Sequence, residues 1–269
     1  MLKIKNVDEI IRYNSEIRNA GRDFVSNFFC SKEKISLWIK KRDCFIEKQG
    51  NTLFIIKKSV NFWNVFFSSL SLDDLCGDIS VFKSIHNNIY MSIDVVGLDS
   101  QCHPILEVLI KAGFNIVASL VRMSKKTEIY TYKTDNTIRF ANREDNILIS
   151  NLLHVYFNEK TEQLPYDDEL NCYIALGRVL VCVNNDNVVG FLIFEMSPST
   201  LYLRYLFTLP EFRDRKVASR LLRKFFEVGK MTKRQILWVV EANDNAVKRY
   251  RHYGFNEENM HDFVLTNCT

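Results

Sequence analysis

The chain has 269 residues, 47% of them hydrophobic and 25% charged, which is ordinary globular composition and long enough for one large or two ordinary domains without staples. A net charge of +4 does not by itself argue for nucleic acid, and no apolar run approaches the roughly 18 residues of a membrane span. Seven cysteines, at 30, 44, 76, 102, 172, 182 and 268, show no CxxC spacing, so neither a zinc site nor a redox motif is indicated, and a soluble, cytoplasmic protein with reduced thiols is expected.

From the N-terminus, Val7, Ile10, Ile11, Ile17, Phe24, Val25 and Phe28 predict one long or two short helices within residues 3–29, followed by a helix from about Glu33 to Lys40. Cys44–Lys48 and Leu53–Lys58 flank Gln49-Gly50-Asn51 and read as a hairpin. Asn61–Ser68 reads as a strand, Val81–Ile85 as a short helix, Ile89–Val95 as a strand, Pro104–Lys111 as a helix stopped at Gly113, and Phe114–Met123 as a closing strand. The second half is expected to begin after Ser124-Lys125-Lys126-Thr127 and a linker up to Asn136. Beyond it, Ile138–Phe140 is a short strand, and Arg143-Glu144-Asp145 leads into a helix with Ile147, Leu148, Leu152 and Tyr156 on one side. Val179–Val183 and Val188–Met196 form a second hairpin around residues 184–187, whose Asn and Asp tolerate left-handed backbone.

The stretch from Leu201 to Lys230 organises the rest. Leu201–Thr208 reads as a strand, Pro210 ends it, and Val217, Leu221, Leu222, Phe225 and Val228 recur at helical spacing. Between strand and helix stands Arg213-Asp214-Arg215-Lys216-Val217-Ala218. Backbone N–H groups at such a helix start lack intrahelical partners and sit at the positive dipole end, so they suit an anion. Residues 213–234 hold nine Lys and Arg against Asp214 and Glu227 alone, which fits a small polyanion, although a solvated helix face would look similar.

After a strand at Ile236–Val240, a helix from Asn243 has Ala246 and Tyr250 four apart on one face and Gly254 to end it. Together these segments resemble the Gcn5-related N-acetyltransferase (GNAT) superfamily. Pro210 stands three residues before Arg213, as in that family's Arg/Gln-x-x-Gly-x-Gly/Ala loop, and Ala218 takes the last position. Asn243, Ala246, Tyr250, Gly254 and Phe255 match its Asn-x-x-Ala-x-x-x-Tyr-x-x-x-Gly-Phe segment at every position. Lys216 departs, standing where the family usually has glycine; its side chain would either crowd the phosphates or add a contact to them.

The same frame recurs upstream: Gly113-Phe114-Asn115 repeats as Gly254-Phe255-Asn256, 141 residues later, with Cys102, Ile105 and Leu109 in place of Asn, Ala and Tyr. The expected architecture is therefore mixed α/β, with residues 1–133 a degenerate GNAT-like domain or an unrelated α+β domain, and 134–269 a GNAT acetyltransferase domain. The upstream copy has no phosphate loop and no acid, so it is not expected to catalyse; walling off a substrate cleft is a role left to it.

The resemblance implies transfer of an acetyl group from acetyl-CoA to a primary amine of a small molecule by direct attack. Leu206, Phe207 and Thr208 would line the pantetheine arm, with the Thr208 N–H facing the acetyl carbonyl. Arg213, Asp214, Arg215, Lys216, Val217, Ala218 and Ser219 would hold the pyrophosphate, with Asn243 also in the cofactor set. Tyr250 would be the general acid, because a phenol of pKa near about 10 stays protonated beside a thiolate leaving group. The base stays open among Glu195, Glu241, His154 and a water chain. By strict alternation Tyr202 and Arg204 share a strand face with Leu206 and Thr208 and would line the acceptor cleft. No metal constellation emerges, and a monomer or homodimer without membrane partners is expected. A non-catalytic acyl-CoA-binding module and a protein N-acetyltransferase are the competing readings.

Overall fold

A computed structural model describes residues 1–21, 23–59, 61–129 and 135–267. They gather into two units, Met1–Leu120 with Asn259–Thr269, and Val121–Glu258. The boundary expected between residues 133 and 134 falls outside the described residues.

The first unit contains β1 (Leu2–Lys3), α1 (Val7–Ala20), β2 (Val25–Ser26), α2 (Lys32–Lys40), β3 (Cys44–Gln49), β4 (Thr52–Lys58), β5 (Trp63–Ser69), α3 (Leu72–Ile85), β6 (Met91–Gly97) and α4 (Asp99–Lys111). Strands β3, β4 and β5 pair antiparallel in turn, and β5 pairs parallel with β6. Phe54, Phe67, Leu75, Ile79, Phe82, Ile93 and Leu109 form the core between the sheet and the helices α3 and α4. Two expectations need correction. Phe24, Val25 and Phe28 do not extend α1, because that helix ends at Ala20 and Val25–Ser26 becomes a strand on β5. The helix foreseen at Val81–Ile85 begins at Leu72, where Ser71 caps it by accepting from Asp74 N at 3.1 Å; two acids in its first turn match the helix dipole.

The chain continues through β7 (Asn115–Lys126), β8 (Ile138–Phe140), α5 (Asp145–Tyr156), α6 (Glu159–Glu162), α7 (Asp167–Ala175), β9 (Val179–Asn184), β10 (Asn187–Met196), β11 (Thr200–Thr208), α8 (Val217–Val228), β12 (Arg234–Val240), α9 (Asp244–His252) and β13 (Asn256–Thr266). In the second unit β8, β9, β10 and β11 pair antiparallel in turn and β11 pairs parallel with β12. The β9–β10 turn uses Asn185 and Asp186 at φ 49° and 62°, the left-handed pair that a two-residue hairpin turn requires. One sheet face packs Leu192, Phe194, Leu203 and Leu237 against Leu221 and Phe225 of α8 and against α9, and the other packs Phe191, Ile193, Tyr205 and Phe207 against α5 and α7.

Helix α5 presents a different side from the one its periodicity indicates. Ile149 and Leu153 are buried, whereas Ile147 is 74% exposed. The buried Asp145 explains the rotation: Arg139 donates to both its oxygens at 2.7 and 3.0 Å, and the Asn142 N–H donates to it at 2.7 Å, so the first turn is anchored by its carboxylate. That guanidinium and backbone N–H hold the Asp145 carboxyl below its usual range despite burial, which acts the other way. Helices α6 and α7 fall in a stretch where no helix is foreseen. The closing strand expected to stop at Met123 runs on to Lys126 in β7, and Lys125 folds inward to donate to Tyr253 O at 2.9 Å beside the rings of Phe226 and Phe255.

In the first unit β6 pairs antiparallel with residues 261–266 of β13, and in the second β12 has β7 as its neighbour.

Candidate functional site

Strands β11 and β12 run paired from Thr200↔Arg234 to Leu203↔Leu237, and the pairing stops there although β11 continues to Thr208 and β12 to Val240. On its other edge β11 stays bonded to β10. Leu209 N donates to Val189 O at 3.0 Å, while Gly190 stands opposite Thr208 and Leu192 opposite Leu206. Alternate residues of a strand send N–H and C=O to opposite edges, so those of Leu206 and Thr208 point away from β10, into the space β12 has left. The Thr208 Oγ1 is buried without a hydrogen-bond partner.

Above this opening the chain turns sharply. Pro210–Phe212 forms one 3₁₀ turn, and Asp214 and Lys216 both adopt φ of 61° before α8 begins. Arg220 N is the first helical N–H with an acceptor, reaching Lys216 O at 3.0 Å. Those of Val217, Ala218 and Ser219 have none within the helix and point out of its N-terminus. Lys216 therefore occupies the left-handed backbone that makes glycine the usual choice at such a turn. On the facing side, Asn243 caps α9 by accepting from Ala246 N at 3.1 Å, which fixes where Asn245, Arg249 and Tyr250 emerge.

These pieces enclose one cavity of about 590 Å³, lined by Leu206, Phe207 and Thr208 from β11, Phe212, Arg213, Asp214, Lys216, Val217, Ala218 and Ser219 from the turn and helix start, and Asn243, Asn245, Ala246, Arg249 and Tyr250 from α9. Eleven of the twelve sequence-predicted site residues are among them. Arg215 is the exception, its guanidinium lying 5.1 Å from the Phe212 ring centroid. Phe212, Asn245, Ala246 and Arg249 join the lining without having been singled out for it. Arg249 had a signal, since it lies three residues after Ala246 on the same helix face. Three cations against Asp214 make the cavity attractive to a polyanion.

Tyr250 is 9% exposed and meets the Phe255 ring edge-on at 6.0 Å. Burial pushes its phenol up to about 12, a shift that neighbouring Arg249 opposes. It therefore stays a proton donor throughout the neutral range.

Glu195, Glu241 and His154 do not line this cavity. Glu195 Oε1 accepts from the Tyr173 hydroxyl at 2.9 Å and lies 3.6 Å from Arg204 Nε. The face shared by Tyr202, Leu206 and Thr208 also needs correction. Pairing steps from Ile193↔Tyr205 to Phe194↔Leu203, so Arg204 is an extra residue in a β-bulge. Tyr202 stands opposite Glu195 and thus faces α7, while Leu206 and Thr208, opposite Leu192 and Gly190, face α8. Among the described residues no group of His, Cys, Asp and Glu could hold a metal ion, and no helix is long and apolar enough to cross a membrane.

A mixed sheet whose parallel pair parts beneath a basic helix start is the layout of the acyl-CoA N-acyltransferase fold. Residues 147–255 match the model of the acetyltransferase (GNAT) family. Among solved structures it is similar to a GCN5-related N-acetyltransferase from Sphaerobacter thermophilus, with a TM-score of 0.60 and 12% identity over 88% of this chain and 85% of that one. One from Kribbella flavida gives 0.59 and 9% over 88% and 93%. A tandem GNAT protein from the clavulanic acid biosynthesis pathway gives 0.56 and 10% over 80% and 78%. No curated protein matches the chain. At these identities the likeness concerns the fold.

Proposed function

We propose that the second unit is an N-acetyltransferase that moves the acetyl group of acetyl-CoA directly to a primary amine of a small molecule. The observation that carries this reading is the single cavity in which the unpaired edge of β11, the start of α8 and Tyr250 meet. Acetyl-CoA supplies a thioester carbonyl open to amine attack and a thiolate leaving group. The edge groups of Leu206 and Thr208 suit strand-like pairing with its amide-bearing arm, and the Thr208 N–H is available to stabilise charge on the carbonyl oxygen. Val217, Ala218 and Ser219 offer N–H groups to the pyrophosphate, with Arg213, Lys216 and Arg249 as counter-charges. Tyr250 holds the proton destined for sulfur.

Lys216 motivates the competing reading, a module that binds acyl-CoA without turnover. A non-glycine residue in left-handed backbone costs about 1 kcal/mol, yet this one also places an ammonium at the cavity. Isothermal titration with acetyl-CoA tests both readings. Micromolar binding by the native chain is expected. Lys216→Gly is expected to raise stability by about 1 kcal/mol while changing affinity less than about tenfold, since backbone strain and one charge contact oppose each other. No binding by the native chain, restored in the glycine variant, would reject the enzyme reading. Binding by the native chain, with no turnover across an amine panel, would favour the silent module.

A further inference from the structure

From β3 to α4 the first unit repeats the element order of β9 to α9, and the same opening recurs in it. Strands β3, β4, β5 and β6 pair antiparallel, antiparallel and parallel, as β9, β10, β11 and β12 do. Helices α3 and α4 follow β5 and β6 as α8 and α9 follow β11 and β12. Gly113 and Gly254 end α4 and α9 at φ of 81° and 83°, each followed by a buried Phe. The β5–β6 pairing covers only Trp63↔Met91 and Asn64↔Ser92, after which the two strands part.

Here the opening is filled. Val25 and Ser26 pair antiparallel with Ser69 and Ser68 on the edge of β5 that faces away from β4. Asn27, 6% exposed, then spans the gap: its Nδ2 donates to Asp94 O of β6 at 2.8 Å, and its Oδ1 accepts from Phe67 N of β5 at 2.6 Å. Its own backbone N–H donates to Phe67 O at 3.3 Å, and the Ser26 hydroxyl reaches the same carbonyl at 2.8 Å. The side chain acts as a peptide-like rung joining the parted strands, satisfying groups that are otherwise buried and costly. At the helix end the contrast is as sharp. Only Leu70 and Ser71 separate β5 from α3, against eight residues between β11 and α8, and the α3 start is capped by Ser71 and bears Asp73 and Asp74. Capped, acidic and without a loop, it repels phosphate.

We propose that Val25-Ser26-Asn27 is a built-in occupant of the first unit's cofactor groove, standing where an acyl-CoA arm lies in the second, so that each chain carries one acyl-CoA site. The nature of the ligand replaced rests on the function proposed above; the occupancy of the groove does not. Two measurements on the full chain test it. In a Ser26→Cys/Ser68→Cys variant the paired positions, whose hydroxyls now lie 2.9 Å apart, are expected to form a disulfide under mild oxidant, mapped by mass spectrometry. In Asn27→Ala, amide exchange across β5 is expected to quicken about tenfold or more while α8 and β11 keep native protection. Titration of the native chain with acetyl-CoA should give one site. Two sites per chain, or no disulfide together with unchanged exchange, would overturn the proposal. No site at all, with the disulfide formed and the exchange response seen, would support the filled groove and reject the acetyltransferase reading.

Discussion

Tyr250→Phe is expected to lower kcat by about a hundredfold to a thousandfold while leaving acetyl-CoA affinity within about twofold, as for loss of one positioned proton donor. The phenol lies at the cavity wall, packed edge-on against Phe255, so deleting one oxygen leaves the aromatic contact in place. Burial raises its pKa to about 12, which keeps the proton available throughout the neutral range and places no alkaline limb of the rate profile on this group below that value. The same shift has a consequence for stability. A group whose folded pKa lies above its unfolded value of about 10 stabilises fully below that pH, and the contribution is lost as pH rises toward 12. Alkaline unfolding between those values should therefore be steeper in the native chain than in the phenylalanine variant. Steady-state kinetics on an accepted amine, with titration and alkaline melts in parallel, check all three. A variant with unchanged kcat would remove the acid role, and one with weakened binding would make Tyr250 a wall residue.

Much of the second unit was legible because two motifs carry backbone instructions as well as chemistry. Pro210 ends a strand, Asn243 caps a helix and Gly254 takes a left-handed turn, and each does so where the sequence places it. What escaped depends on partners distant in sequence. The bulge at Arg204 adds one residue to β11 relative to β10, and no alternation of apolar residues within β11 announces it: Leu201, Leu203, Tyr205 and Phe207 alternate without a break while the face they bury changes. The side that α5 buries depends on a partner outside the helix in a similar way. Its aliphatic stripe is the better hydrophobic pattern, but the ion pair of Asp145 with Arg139 sets the rotation.

The first unit shows the same limit more plainly. Phe24, Val25 and Phe28 continue a helical spacing, so the segment that fills the groove reads as more of α1; only β5, forty residues onward, makes it a strand. The two closing strands follow near-identical Gly-Phe-Asn signals, and nothing in either strand says which sheet it will join. Local residues decided the elements, and contacts between remote elements decided edges, faces and occupants.

Gly190→Val is expected to destabilise the second unit by about 2–3 kcal/mol and to weaken acetyl-CoA binding at least about tenfold. A Cβ at Gly190 would stand 2.7 Å from Phe207 O and 2.7 Å from Val217 Cγ1, closer than packed atoms approach, with Thr208 Cα at 3.5 Å. The first contact is backbone, so rotating a side chain cannot relieve it. β10, β11 and the first residue of α8 must separate, and those are the elements that set the height of the unpaired β11 edge beneath the helix N-terminus. The absence of a side chain at Gly190 thus controls how closely the N–H groups of Val217, Ala218 and Ser219 stand over Leu206–Thr208. A thermal melt should shift down by about 5–10 °C. If the melting temperature falls and affinity at a temperature where the variant is folded stays native, Gly190 supports packing alone and the geometry of the site is set elsewhere. If affinity falls with it, the close approach of helix and strand is itself part of the binding site, and Gly190→Ala, carrying the Cβ without the methyls, should show the same loss in smaller measure.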